Sequence, residues 1–137
     1  MQSSTSAERK IELLTKLFNK LSTRGEMGIP IIVEGRNDLA ALRRLGIWGR
    51  VICVKSSTNT LVDILDGVRG EEVTLFVDFD SEGVALAREI TECLEGRGVK
   101  VEAVFWRRMR SLIRRDVKDV EGVPSYLEKL KKRANHS

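Results

Sequence analysis

Asp78, Asp80 and Glu82 stand at alternate positions directly after an apolar run, Val73 to Val77, and Gly83 closes the series before a helical pattern begins. Carboxylates this close repel one another and are costly to keep ionised unless a cation sits between them. A second apolar run, Ile29 to Val33, ends in the same way, in Glu34-Gly35. Two buried strands that each end in a carboxylate suggest one shared acidic site. The chemistry expected there is that of a hard divalent ion, Mg²⁺ with Mn²⁺ as a substitute, held by Asp78, Asp80 and Glu82. Such an ion activates the attacking or leaving oxygen of a phosphodiester, and Glu34 could take or give the proton. Gly83 would keep the backbone bare where metal or phosphate must approach. The competing reading is that these acids cap helices at strand-to-helix turns, and for Asp38 it is at least as strong as a functional one.

Around this acidic centre the chain is basic: net charge +4, with a sequence pI near 9.3. The excess concentrates late, in Arg107, Arg108 and Arg110, in Arg114-Arg115, and again in Lys129, Lys131, Lys132 and Arg133. A local acidic motif inside a basic chain suits a metal-dependent enzyme acting on a polyanion, the acids holding metal and the basic surface holding phosphate. Any one of these arginines could equally be a solvated helix residue. As a cluster, Arg107, Arg108 and Arg110 are candidates for nucleic-acid contact. Zinc chemistry is disfavoured, because His136 is the only histidine and Cys53 and Cys93 stand apart in apolar patterns that suit reduced core thiols. No apolar run is long enough to cross a membrane, and the polar start Met1-Gln-Ser-Ser-Thr-Ser has no signal-like apolar stretch. The default location is the cytoplasm.

The elements that must position the acids follow from periodicity. Thr5-Ser-Ala-Glu8 fits a capping box for an amphipathic helix to about Ser22, with Arg24 to Gly28 as a linker. A strand over Ile29–Val33 leads to a helix capped by Asn37 or Asp38 and ending at Gly46. A short strand, Val51–Val54, precedes the polar loop Lys55-Ser-Ser-Thr-Asn59 and a helical stripe up to Gly70. The strand Val73–Val77 is followed by a helix from Ser81 to Gly96, then by a strand over Val99–Phe105. A short basic helix around Met109 to Ile113 and a last helix opened by Pro124-Ser125 complete the chain. Trp106 extends the apolar pattern of the fourth strand; beside Arg107 it could stack on a base, but packing is the stronger reading. Alternating strands and helices predict an α/β fold, a four-stranded mostly parallel sheet with helices on both faces. The expected organisation is an N-terminal helical extension over 1–27, a core over 28–106 and a basic C-terminal extension over 107–137. With strand order 2-1-3-4, Glu34, Asp78 and Asp80 converge beyond the carboxyl ends of the strands.

The run Ile31-Ile-Val-Glu34-Gly35-Arg-Asn-Asp38, followed by Phe76-Val-Asp78-Phe-Asp80-Ser-Glu82-Gly83, resembles the two motifs of a Toprim domain. That domain is shared by topoisomerases, bacterial primases, old-family nucleases, recombination mediators and the 5S ribosomal RNA maturation nuclease. The resemblance spans roughly Gly28 to Phe105. It implies a compact Rossmann-like sheet, Mg²⁺ on Asp78 and Asp80, Glu82 as the third acid of topoisomerase versions, and Glu34 as general acid or base. Gly35, Asp38 and Gly83 match supporting positions of the motifs. The chain is also similar to the small stand-alone Toprim proteins grouped with the 5S RNA maturation nuclease, which favours RNA over DNA as partner. It departs from many members in the loop after the second strand, where Lys55-Ser56-Ser57-Thr58 replaces a glycine. Lys55 and Ser56 could hold a phosphate there, while Ser57 or Thr58 as a helix cap is the alternative.

Topoisomerase action needs a nucleophilic tyrosine on another domain, and Tyr126, the only tyrosine, falls in an amphipathic pattern. Primase action needs template-binding and zinc-binding parts. Two readings survive: a Mg²⁺-dependent nuclease on structured RNA, and a non-catalytic module that docks nucleic acid or a protein partner. The N-terminal helix either covers the sheet or forms a homodimer contact.

Overall fold

In a computed structural model, which describes residues 2–55, 58–70 and 72–135 (residues 2–5 by backbone alone), four short strands form one parallel sheet. They are β1 (Ile31–Val33), β2 (Val51–Cys53), β3 (Glu72–Leu75) and β4 (Lys100–Glu102), in the order β2-β1-β3-β4. Ile31, Ile32, Val33, Val73 and Leu75 are fully buried, as unbroken apolar runs in a parallel sheet should be. The helices are α1 (Gln2–Glu26), α2 (Arg36–Arg44), α3 (Leu61–Asp66), α4 (Ser81–Glu95), α5 (Val104–Ile113) and α6 (Val123–Asn135), with a 3₁₀ turn at Val120–Gly122. Helix α1 packs on α6 and α5, and α3 packs on α4. One apolar core joins Leu14, Phe18 and Leu21 of α1 to the sheet. No helix among the described residues is long and apolar enough to cross a membrane.

Several boundaries differ from the sequence expectation, each for a physical reason. Helix α1 begins before Thr5 and runs past Ser22 to Glu26. Nothing in Gln2-Ser-Ser-Thr breaks a helix, and the last turn includes Gly25, where the close approach leaves no room for a side chain: a Cβ would stand 2.2 Å from the Trp48 carbonyl oxygen. Gly28, at φ 85°, turns the chain out of the helix. The second helix is capped by Gly35 rather than Asn37 or Asp38, with Asp38 at its third position accepting the Gly35 N–H. Thr60, not Thr58, caps α3 by accepting the Asp63 N–H, and Ser57 lies outside the described residues. The fourth strand stops at Glu102, whose carboxylate accepts the Val104 N–H at 2.6 Å and starts α5. Trp106 is therefore a helix residue, and it is buried. Val99 to Trp106 is apolar enough to suit either period; Met109 and Ile113 decide for the helix.

Candidate active site

The sheet register itself brings the two motifs together. Along the β1–β3 seam, the N–H of Thr74 donates to Pro30 and that of Phe76 to Ile32, both at 2.8 Å. Two residues on, the Asp78 N–H donates to a side chain, Glu34 Oε2, at 3.0 Å. The Glu34 carbonyl is engaged on the other side, accepting the Lys55 N–H at 2.7 Å. A glutamate side chain thus continues the ladder where the backbones diverge, and it places a carboxylate from one strand end against the next.

Asp78 is fixed on every side. Its Oδ1 accepts the Val120 N–H at 3.0 Å, and its carbonyl accepts the Trp106 indole N–H at 3.2 Å. The following Phe79 donates its N–H to the Lys118 carbonyl and accepts Arg110 Nε, both at 2.8 Å. Phe79 is itself buried, its ring edge-to-face with Phe76 at 6.2 Å. Gly83 also has a packing role that the sequence does not show: a Cβ there would stand 2.0 Å from the Asp78 carbonyl oxygen. A Cβ on Gly35 would meet nothing within 4 Å, and its extended backbone suits any residue.

These contacts open on a cavity of about 620 Å³ lined by Glu34, Gly35, Asp38, Lys55, Asp78 and Glu121, with Arg36 and Asn37. Burial, and the charges of Glu34 and Asp38, push the Asp78 carboxyl up to about 7. Asp38 is also raised, chiefly by burial. Lys55 Nζ pairs with Glu34 Oε1 at 3.1 Å, and that contact raises its pKa. Asp80 caps α4, its Oδ1 accepting the Gly83 N–H at 2.8 Å. Asp80 and Glu82 lie in the turn into α4, outside the lining of this cavity. Among the described residues no three acid, histidine or cysteine side chains form a ready-made metal cage. The donor set is nevertheless one of hard oxygens, and a carboxyl pushed up to about 7, chiefly by burial and further by its acidic neighbours, gains from a cation beside it. The acids fit Mg²⁺ in type and in charge.

Sequence reasoning missed the strap between α5 and α6. Val120 and Lys118 clamp the Asp78 loop, and Glu121 adds a carboxylate to the cavity mouth. Asp119-Val-Glu-Gly122 carried the signal, an aspartate that caps a glycine N–H three residues on. Arg107 and Arg110 share one groove, whereas Arg108 lies in a second groove with Lys16 and Lys20. Lys55 stands beside Glu34, and Ser56 falls outside the described residues. Cys53 and Cys93 are half-buried and are not joined in a disulfide.

Given these contacts, Gly35→Ala is expected to cost no more than about 1 kcal/mol, the difference between glycine and alanine at a helix N-cap, since the added methyl meets nothing. Urea denaturation checks it, and a larger loss would mean that the mouth of the cavity closes on Gly35.

Comparison with known proteins agrees with this architecture. A family model described as "Toprim domain" matches residues 28–105. A UPF0292 protein of Methanocaldococcus jannaschii is 34% identical over 119 residues, covering 86% of this chain and 92% of that one. Another, of Thermoplasma volcanium, is 37% identical over 109 residues, covering 77% and 88%. A solved structure of an Aquifex aeolicus protein superposes with a TM-score of 0.66 at 26% identity, over 79% of this chain and 95% of its own.

Proposed function

The chain belongs to the Toprim-domain proteins and to the UPF0292 family, and on that footing we propose that it is a Mg²⁺-dependent nuclease acting on structured RNA. Toprim membership implies metal-dependent chemistry connected with nucleic acid. The observation that carries the reading is the Glu34–Asp78 contact, which joins acids 44 residues apart in one open cavity. In this reading Asp78 and Asp80 hold the ion, with Glu82 near the start of α4 as a third carboxylate. Mg²⁺ supplies charge neutralisation at the phosphodiester oxygens. Glu34, paired with Lys55, exchanges a proton with the attacking or leaving oxygen. Asp38 holds the Gly35 N–H and so orients the backbone that lines the mouth.

The test is a cleavage assay on end-labelled structured RNA, single-stranded RNA and duplex DNA, with Mg²⁺ or with chelator. Cutting of structured RNA should require metal and disappear in Asp78→Asn/Asp80→Asn. Glu34→Gln should retain Mg²⁺ binding by calorimetry while its rate falls about 10²- to 10⁴-fold, the usual worth of a general acid or base. Metal binding that survives the double substitution would refute the site. A non-catalytic docking module is the second reading, favoured by the absence of a ready-made cage among the described residues. It predicts substrates that are retarded on a gel but never cut.

A further inference from the structure

The basic cluster after the Toprim match forms a distinct groove. A cavity of about 780 Å³ is lined by Arg107, Arg110, Arg114 and Arg115, with Lys10 of α1 on its wall and Trp106 in its floor. Its one carboxylate, Asp116, is already engaged by Lys10 at 3.5 Å and by the Tyr126 hydroxyl at 2.7 Å. Four arginines are left to set the charge of the groove. Most of its lining lies after the segment matched by the family model, with Lys10 before that segment and Val84 inside it.

The groove is also wired to the acidic loop. Two of its lining residues donate into the loop backbone: Trp106 to the carbonyl of Asp78 and Arg110 to that of Phe79. Arg107, Arg110 and Arg114 follow at helical spacing on one face, and at 1.5 Å per residue they span about 10 Å of helix axis. That length matches two to three phosphates of one strand. Trp106 is too buried for a base to stack on it, so the contacts available are ionic ones to the backbone.

We infer that this groove is the track for a single nucleic-acid strand, such as an unpaired end or loop of a structured RNA, gripping its phosphates without reading bases and leading it to the acidic cavity. The inference rests on the nuclease reading for its destination, but strand binding is measurable without metal or cleavage. A cleft of this size admits a few nucleotides of one strand.

The experiment is fluorescence anisotropy with labelled twelve-nucleotide RNA and DNA strands and a duplex, in chelator, across a salt series. Arg107→Ala/Arg114→Ala/Arg115→Ala removes three exposed cations and leaves Arg110 on Phe79. It should weaken strand binding at least tenfold and flatten the slope of log K against log salt by about 2, three contacts at roughly 0.7 each. Thermal melting should match the wild type, separating lost contacts from lost fold. In the cleavage assay, failure of Asp78→Asn/Asp80→Asn to abolish cutting would sink the nuclease site and leave the track standing. Unchanged affinity and salt slope in the triple variant would overturn the track. So would a loss caused instead by Lys16→Ala/Lys20→Ala/Arg108→Ala in the second groove, or a duplex that binds as tightly as the strand.

Discussion

Gly83→Ala is expected to cost about 3 kcal/mol or more, a large fraction of the stability of a domain this size. The added methyl would stand 2.0 Å from the Asp78 carbonyl oxygen and 2.6 Å from its carbon. No side-chain rotation relieves a collision with backbone. Helix α4 must move away, or the Asp78 loop must, and that loop is held by Glu34, Trp106, Arg110, Lys118 and Val120. The small gain in helix propensity from glycine to alanine, at most about 1 kcal/mol, does not offset this. Urea denaturation of Gly83→Ala beside Gly35→Ala gives the comparison. Equal stability of the two variants would mean that Gly83 and Asp78 do not pack as described.

The second large effect concerns pH. The Asp78 carboxyl titrates near 7 in the folded protein, against 3.8 for the ordinary side chain. Folding thus favours its protonated form. The stabilisation is complete below about pH 4, is lost as pH rises, and is gone above about 7. Asparagine stays neutral and its amide oxygen can still accept the Val120 N–H. Without added metal, Asp78→Asn should therefore be more stable than the wild type at pH 8, by about 2 kcal/mol after discounting for partial exposure. The two should converge near pH 4. Mg²⁺ should raise the wild-type midpoint at pH 8 and leave the variant's unmoved. Melting curves at pH 4 and pH 8, with and without Mg²⁺, check each part. A variant less stable than the wild type at pH 8 would show that Asp78 is not under charge strain.

Much of this arrangement could be read from the chain itself. The strands β1 and β3 announce themselves as apolar runs ending in acids, and their adjacency follows from the order β2-β1-β3-β4. That suffices to bring Glu34 and Asp78 together. It does not reveal that the Glu34 side chain takes the place of a backbone acceptor, since this depends on where the two strands diverge. The turn after Asp78 was equally hidden. The chain enters α4 at once, so one Asp80 oxygen is committed to the Gly83 N–H, and Glu82 starts the helix. The roles of Trp106 and Arg110 were obscured because Val99 to Trp106 suits strand and helix alike, and only tertiary contact shows α5 donating into the acidic loop. The strap at 118–122 has no periodicity to betray it, and its partners lie some forty residues away.

That strap also imposes an order on assembly. During synthesis both acidic motifs are complete once Gly83 has been added, long before Lys118 and Val120 exist. Until those two residues arrive, the Asp78 carboxylate lacks its backbone donor and the Phe79 N–H lacks its acceptor. The nascent chain therefore carries the motif without its geometry. A product released early, anywhere before Val120, is left in the same condition. The acidic loop takes its final shape only once synthesis has passed Val120.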